Sequence, residues 1–469
     1  MSIGERLSSV DRAWLRMDRP ENRMTVVSLI VLGRRLGRST LRSLIEQRLL
    51  AFDRFRCAPV SDALGASWVE STSFDLDDHL LSAALPPRGG QKELEALAGE
   101  LSGTPFPAGR PLWTFHLIEH YGRGSAIIGR IHHCYGDGIA LMHVLLSLAD
   151  PPPGAPWAGA PPSAPMTLPR PTAPLASLGL PAWDDVAALL EGGVHYALHP
   201  GEASTVGREA LTVGAELAHI AAMPDDPATR LKRPLSGTRR VAWTQALSLA
   251  EVRAIARVLG CTVNDVLVST LAGALGAYLA SEGESVKGLS VRAAVPVNLR
   301  PSADPRELAG TGALGNRFGL VFVELPVGVT HPLERLYSVH AAMALLKASV
   351  QAKATLILMA LAGALPAAVE EFALTLFSAK ASLVASNLRG PDEELSLAGR
   401  PVTELLFWVP QTGSIGTGVS MFTYRGRVQF GVTSDRALIA EPARLVEQLI
   451  VEFERLVFLV LLGAGSLMD

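Results

Sequence analysis

Cysteine is scarce: only Cys57, Cys134 and Cys261 occur in 469 residues, and none is spaced as a zinc-ligand pair or as part of a disulfide framework. This excludes a disulfide-stapled scaffold and fits a reducing, cytoplasmic setting. An excess of either charge is also missing, because 42 Lys and Arg face 45 Asp and Glu, for a formal net charge of -3. Without a surplus of cations to neutralise phosphates, a nucleic-acid partner is not expected. Long apolar runs are missing too. Glu5, Arg6, Asp11, Arg12 and Arg16 interrupt the first twenty residues, which a secretory signal would not tolerate. The longest charge-free apolar stretch, 354–369, is broken by Gly363 and Pro366, and falls short of the roughly twenty residues a membrane-spanning helix needs.

What is present is a chain with 48% hydrophobic and 19% charged residues, enough to bury more than one core. Apolar periodicity and turn residues predict strands over 25–32, 113–119 and 126–132, the last two joined by a Gly-containing hairpin at 121–124. Helices are expected over 39–52, with Ser39 as its cap, over 91–101 and over 139–148. A Pro- and Ala-rich stretch, 151–181, reads as a crossover linker, followed by helices near 183–190 and 208–222. From 239 a second α/β pattern begins: strands at 244–249, 289–297, 320–325, 407–410, 418–424 and 427–433, and helices at 249–259, 262–279 and 442–462. The expected organisation is therefore an N-terminal α/β domain at 1–150, a linker with helices at 151–238, and a C-terminal α/β domain at 239–469.

The stretch that carries chemistry is Ile131-His132-His133-Cys134-Tyr135-Gly136-Asp137-Gly138, at the end of a strand and the start of a helix. Strand alternation puts His133 on the face of Ile131, Gly129 and Ile127, so His133 rather than His132 is expected to face an apolar pocket. An imidazole there, titrating near the working pH, suits proton removal from an alcohol that attacks a carbonyl, and no enzyme nucleophile is needed. His132 is a supporting residue or only shapes the turn. Asp137 either orients His133 or ties down the loop through an arginine, while Gly136 and Gly138 permit a sharp strand-to-helix turn. Cys134 faces away from its neighbour, which disfavours a Cys-His pair, and a His-His step with no third ligand nearby does not make a metal site.

The motif resembles the HHxxxDG signature of the coenzyme A-dependent acyltransferases. Six flanking segments are similar to the wax ester synthase/diacylglycerol acyltransferase family in particular: LSSVDRAWLRMDRPENRM from Leu7, GRPLW from Gly109, TVNDVL from Thr262, VPVNLRP from Val295, GNRFG from Gly315 and SNLRGP from Ser386. Arg389 departs from the apolar residue or proline more usual in the last segment. The resemblance implies two chloramphenicol-acetyltransferase-like domains, each a mixed sheet with helices, around a tunnel with His133 at its middle. It also implies acyl-CoA as co-substrate with no permanently bound cofactor, and a fatty alcohol or diacylglycerol as acceptor, giving wax ester or triacylglycerol. Asp137 would then be structural, paired with Arg300, or failing that Arg292. Oxyanion donors are sought among Asn264 and the Ser386-Asn387 pair, with Asn264-Asp265 equally well read as a helix cap.

Two rivals are a same-fold acyltransferase with another acceptor or a carrier-protein donor, and a non-catalytic lipid binder, which would have no need of a base. The apolar region 354–377 and the C-terminal helix are core, or else line an acyl-chain tunnel or touch a membrane or lipid-droplet surface.

Overall fold

The computed structural model describes residues 5–62, 65–151, 205–300, 314–347 and 349–465. The linker 151–181 (but for Pro151), the helix expected near 183–190 and Pro301 lie outside them.

In chain order the strands are β1 (Thr25–Leu32), β2 (Cys57–Asp62), β3 (Gly65–Glu70), β4 (Leu80–Ser82), β5 (Trp113–Tyr121), β6 (Gly124–His132), β7 (Arg239–Trp243) and β8 (Leu247–Ser248). They continue as β9 (Val291–Asn298), β10 (Phe318–Leu325), β11 (Leu383–Arg389), β12 (Ser396–Leu397), β13 (Arg400–Trp408), β14 (Thr417–Tyr424) and β15 (Arg427–Asp435). The first sheet has the order β12-β13-β1-β6-β5-β4; the second runs β10-β9-β11-β14-β15-β7, with β8 also on β15. β2 and β3 form a separate hairpin. The first four helices are α1 (Ser9–Arg16), α2 (Arg38–Leu44), α3 (Gln91–Gly103) and α4 (Gly138–Ser147).

The first sheet is built on β1, whose TVVSLIVL sequence is β-branched and aliphatic and is buried at all eight positions, as a central strand must be. It pairs antiparallel with β6 and with β13. This corrects the contiguous division at 239, since β12 and β13, from the C-terminal half, belong to the N-terminal sheet. Alternation in β13 shows which residues are buried, not which neighbour buries them. The β5–β6 hairpin turns at Gly122 (φ 56°), a left-handed conformation that costs glycine little.

Three local expectations also need correction. The helix expected over 39–52 begins at Arg38 with Gly37, not Ser39, at its N-cap, and after Leu44 it widens into a π turn over Ile45–Leu49. The strand expected at 244–249 is only the two-residue β8; the longer strand, β7, ends before it at Trp243, with 244–246 between the two. The apolar stretch 354–369, expected as one buried or interfacial helix, falls on two, Gln351–Ala364 and Ala367–Ala379, broken at Pro366.

The second sheet is covered by a core centred on the helix Val263–Ser281, whose residues from Asp265 to Gly276 are all buried. By length and composition this helix could cross a membrane, but most of it is inside the protein. Its start is a capping box in which Thr262 Oγ1 accepts from Asp265 N and Asp265 accepts from Thr262 N.

Candidate active site

β6 ends at His132, and the chain then makes one 3-10 turn, His133–Tyr135, before α4 begins. His133 therefore lies just past the strand. Its backbone N–H still donates to the Met24 carbonyl at 2.8 Å, which continues the ladder by one residue and preserves the facing that alternation predicts. The ring lines a cavity of about 320 Å³ between the two sheets. Val26 and Phe407 come from the first sheet, and Ala294, Leu320 and Ser386 from the second. The lining is largely apolar, with polar groups in few places, as expected of a small-molecule site.

His132 does not line this cavity. It is buried on the other side of the strand end, where its Nδ1 accepts from Cys134 N at 3.1 Å, and its Nε2 lies 3.9 Å from Asp18 Oδ1. Its place is structural: it shapes the turn. Cys134 is buried off the cavity, and desolvation pushes its thiol well above the ordinary value, so it is no thiolate nucleophile.

The aspartate of the motif is fully engaged. Asp137 caps α4, with Oδ1 accepting from Ile139 N (3.2 Å) and Ala140 N (3.1 Å), while Oδ2 accepts from Arg317 N (2.8 Å) and from the Arg300 guanidinium. Arg300 also donates to the Gly315 carbonyl at 2.7 Å. The partner is Arg300, as the family resemblance implies; Arg292 instead serves Asp226 and the Pro224 carbonyl. The β9 end and the Gly315-Asn316-Arg317 segment thus clamp the histidine turn from the second half of the chain. Gly138 allows Leu388 to approach, since a Cβ there would lie 2.7 Å from Leu388 Cδ1.

Ser386 and Asn387 both line the cavity, but differently. On β11, Leu383 and Ala385 point into the core of the second half while Val384, Ser386 and Leu388 face the cavity. The Ser386 hydroxyl makes no hydrogen bond to another described residue. The Asn387 amide donates to Asn264 Oδ1 at 2.9 Å at an exposed position, and Asn264 is not among the residues that line the cavity. Asp265 caps its helix and bonds His340 Nδ1 at 2.7 Å, the structural outcome. Arg389 is on the rim, paired with Asp392.

Two contacts of His133 were not foreseen. Trp14 of α1 stacks on its imidazole, with ring centroids 4.0 Å apart and planes at 21°. Asn316 Nδ2 donates to the His133 carbonyl at 2.9 Å and to Asp11 Oδ1 at 2.8 Å. Both partners lie in the segments that begin at Leu7 and Gly315, but no local pattern could join residues some three hundred positions apart.

Burial pushes the His133 imidazole down to about 4, opposed by the Asp137 carboxylate. This corrects the expectation of titration near the working pH. The ring is neutral, and so able to accept a proton, throughout the physiological range, but it is a weaker base than free histidine. Beyond Trp14 lies a smaller apolar chamber of about 40 Å³, between α1 and the helices Gln351–Ala364 and Ala367–Ala379. It shares Trp14, Leu320 and Thr412 with the main cavity. Among the described residues no cluster of three His, Cys, Asp or Glu side chains could hold a metal.

A neutral imidazole in an apolar cleft between two mixed sheets, on an HHxxxDG turn braced by an arginine, defines a two-domain acyltransferase. The chain belongs to the wax ester synthase/diacylglycerol acyltransferase family: the model of that family's catalytic domain matches residues 7–267 and the model of its C-terminal domain matches 314–457. It is 29% identical over 418 residues to the probable diacylglycerol O-acyltransferase tgs1 of Mycobacterium tuberculosis, covering 86% of this chain and 84% of that one. Among solved structures it is similar to the wax ester synthase/diacylglycerol acyltransferase of Marinobacter aquaeolei VT8, with a TM-score of 0.67, 22% identity, and coverage of 97% and 99% of the two chains. The trichothecene 15-O-acetyltransferase of Fusarium sporotrichioides shares the fold at a TM-score of 0.59 and 13% identity, over 97% and 94%.

Proposed function

We propose that this chain transfers the acyl group of a long-chain acyl-CoA to the hydroxyl of a fatty alcohol or of diacylglycerol, with His133 as general base. The observation that carries this reading is the placement of His133: the histidine of the pair that faces the inter-sheet cavity, held neutral by burial. The hydroxyl gives its proton to the imidazole as its oxygen attacks the thioester carbonyl. The C–S bond then breaks, and the coenzyme A thiolate takes the proton back. Asp137 is structural, because each of its oxygens already serves two donors. Ser386 is the donor we assign to the oxyanion, since its hydroxyl is the uncommitted one on the cavity wall.

The apolar acceptor would be drawn from a lipid surface at the turn between the helices Gln351–Ala364 and Ala367–Ala379. Leu365, at the turn, is 37% exposed, and Phe372, on the second helix, 71%. Arg16 and Arg19 lie beside them, each bridging a glutamate of the second helix, so that polar ion pairs border the exposed apolar side chains. The inner face of the same helix pair lines the small apolar chamber.

The test is purified protein with palmitoyl-CoA and, separately, hexadecanol or dipalmitin, following free thiol and product by chromatography. Acceptor-dependent thiol release is expected, and His133→Ala should lower it by about 10²- to 10⁴-fold while leaving the protein folded. Absence of acceptor-dependent thiol overturns the substrate assignment; near-normal activity in His133→Ala overturns the base.

A further inference from the structure

α1 is a short amphipathic helix, and two of its buried residues, Asp11 and Trp14, are three residues apart and so share one face, with Trp14 lining the cavity. Ser8 caps its start by accepting from Asp11 N at 3.0 Å. Its other flank is pressed against the helix Gln351–Ala364 so closely that a Cβ at Gly363 would overlap the Ser9 carbonyl, and Arg12 donates to the Gly363 carbonyl. The helix is therefore held rigidly relative to the second half of the chain. Its inner face meets the histidine turn at two places, the ring and the backbone.

We propose that α1 is the positioning element of the general base: Trp14 fixes the plane of the His133 ring by stacking, and Asp11, through Asn316, fixes the His133 carbonyl. This deepens the function proposed above and rests on His133 being the base.

The geometry leaves little freedom. A stacked indole at 4.0 Å bars one face of the imidazole, and Phe318, with its centroid 5.8 Å away, crowds the ring from another direction. The ring is thus held between two aromatic neighbours. The Asn316 amide spans two acceptors, Asp11 Oδ1 and the His133 carbonyl, so the turn cannot shift without breaking a buried hydrogen bond. Asp11 also accepts from Asn316 N at 3.1 Å, which fixes the asparagine itself. A base must lie within hydrogen-bond reach of the proton it abstracts, and a displacement of about 1 Å is worth on the order of 10²-fold in rate. Trp14 and Asn316 are accordingly positioning residues, not catalytic ones.

The test compares Trp14→Phe, Trp14→Leu and Asn316→Ala with the parent protein by steady-state kinetics and by NMR of the histidine ring protons, the His133 signals being assigned by their loss in His133→Ala. Trp14→Leu is expected to lower kcat on the order of 10- to 100-fold with KM for acyl-CoA changed less than about 3-fold, and Trp14→Phe to restore most of kcat. In the NMR spectra the upfield ring-current displacement of the His133 protons should vanish in Trp14→Leu and persist in part in Trp14→Phe. Asn316→Ala should lower kcat similarly while keeping the ring-current displacement. His133 signals that do not move in Trp14→Leu, or a kcat equal to the parent's in both Trp14→Leu and Asn316→Ala, overturn the proposal. The NMR comparison needs no turnover. A parent protein that transfers no acyl group would refute the function above and leave the clamp to be judged on the ring signals.

Discussion

Asp137 and Arg300 form an ion pair with side-chain exposures of only 6% and 1%, so its perturbation has a computable sign and size. In Asp137→Asn the carbonyl of the new amide can still cap α4, but its NH₂ group is turned toward two donors, Arg317 N and the Arg300 guanidinium, which is left buried without a counter-charge. Breaking a buried pair from one side costs about 3–5 kcal/mol. Asp137→Ala should cost about 0.5–2 kcal/mol more, because the cap is lost too. Arg300→Met is expected to cost less than either, since the carboxylate keeps its three backbone N–H donors. The double variant Asp137→Asn/Arg300→Met removes both charges, and a buried pair replaced as a unit is close to neutral, so it should be well above the sum of the singles.

The assay is the urea midpoint followed by both circular dichroism and tryptophan fluorescence, with acyl transfer measured on the same samples. If the aspartate is structural, activity should track stability, and the double variant should recover part of both. Two outcomes would refute this reasoning: single-variant costs that add within about 0.5 kcal/mol, or a loss of activity in Asp137→Asn that removal of Arg300 does nothing to relieve.

Other consequences follow from the same contacts. Burial holds the His116, His132 and His133 rings down to about 4 from an ordinary 6.5, so between those values the unfolded chain takes up protons the folded one refuses. Their contribution is flat above about pH 6.5 and is lost as pH falls toward 4, at roughly 3 kcal/mol for each ring; His116→Gln should flatten the pH dependence of the urea midpoint in that window. The same value for His133 predicts that the acid limb of kcat/KM lies near 4, and a limb near 6.5 would show the ring to be hydrated. Ser386→Ala should lower kcat by about 10²- to 10³-fold with the fold intact, and a smaller effect than 10-fold would move the oxyanion donor elsewhere. Phe372→Asp should reduce sedimentation with anionic phospholipid vesicles while activity on a detergent-dispersed acceptor is kept; unchanged vesicle binding would relocate the docking surface.

What the sequence disclosed was local. The β5–β6 hairpin, the step from β6 into α4 and the facing of His133 follow from alternation and turn residues a few positions apart. The Asp137–Arg300 pair was reached through resemblance, as the link spans 163 positions that no periodicity connects. Gly37 in place of Ser39 as the N-cap shows the limit of cap rules, because glycine fits the site with no side-chain bond and leaves the serine as an ordinary helical residue. The basicity of His133 was misjudged for a related reason. A strand-end histidine reads the same whether its ring is wet or covered, and what covers this one is an indole from a helix more than a hundred residues earlier.

The exchange of β12 and β13 into the first sheet also explains why the site cannot belong to either half alone. β1 would have an open edge without β13, and every one of its eight residues is buried, so the strand is meant to be paired on both sides. The crossing strand carries Phe407 to the cavity wall, and Val409 follows just past its end. From the opposite side, Arg300 and Asn316 reach back to Asp137 and to the His133 carbonyl. The first half therefore supplies the base and the indole stacked on it, and the second supplies Arg300 and Asn316, which tie down its turn, and part of the cavity wall. The cavity is therefore bounded by strands of both sheets together with Trp14 of α1 and Ile139 and Met142 of α4, so no single half of the chain encloses it.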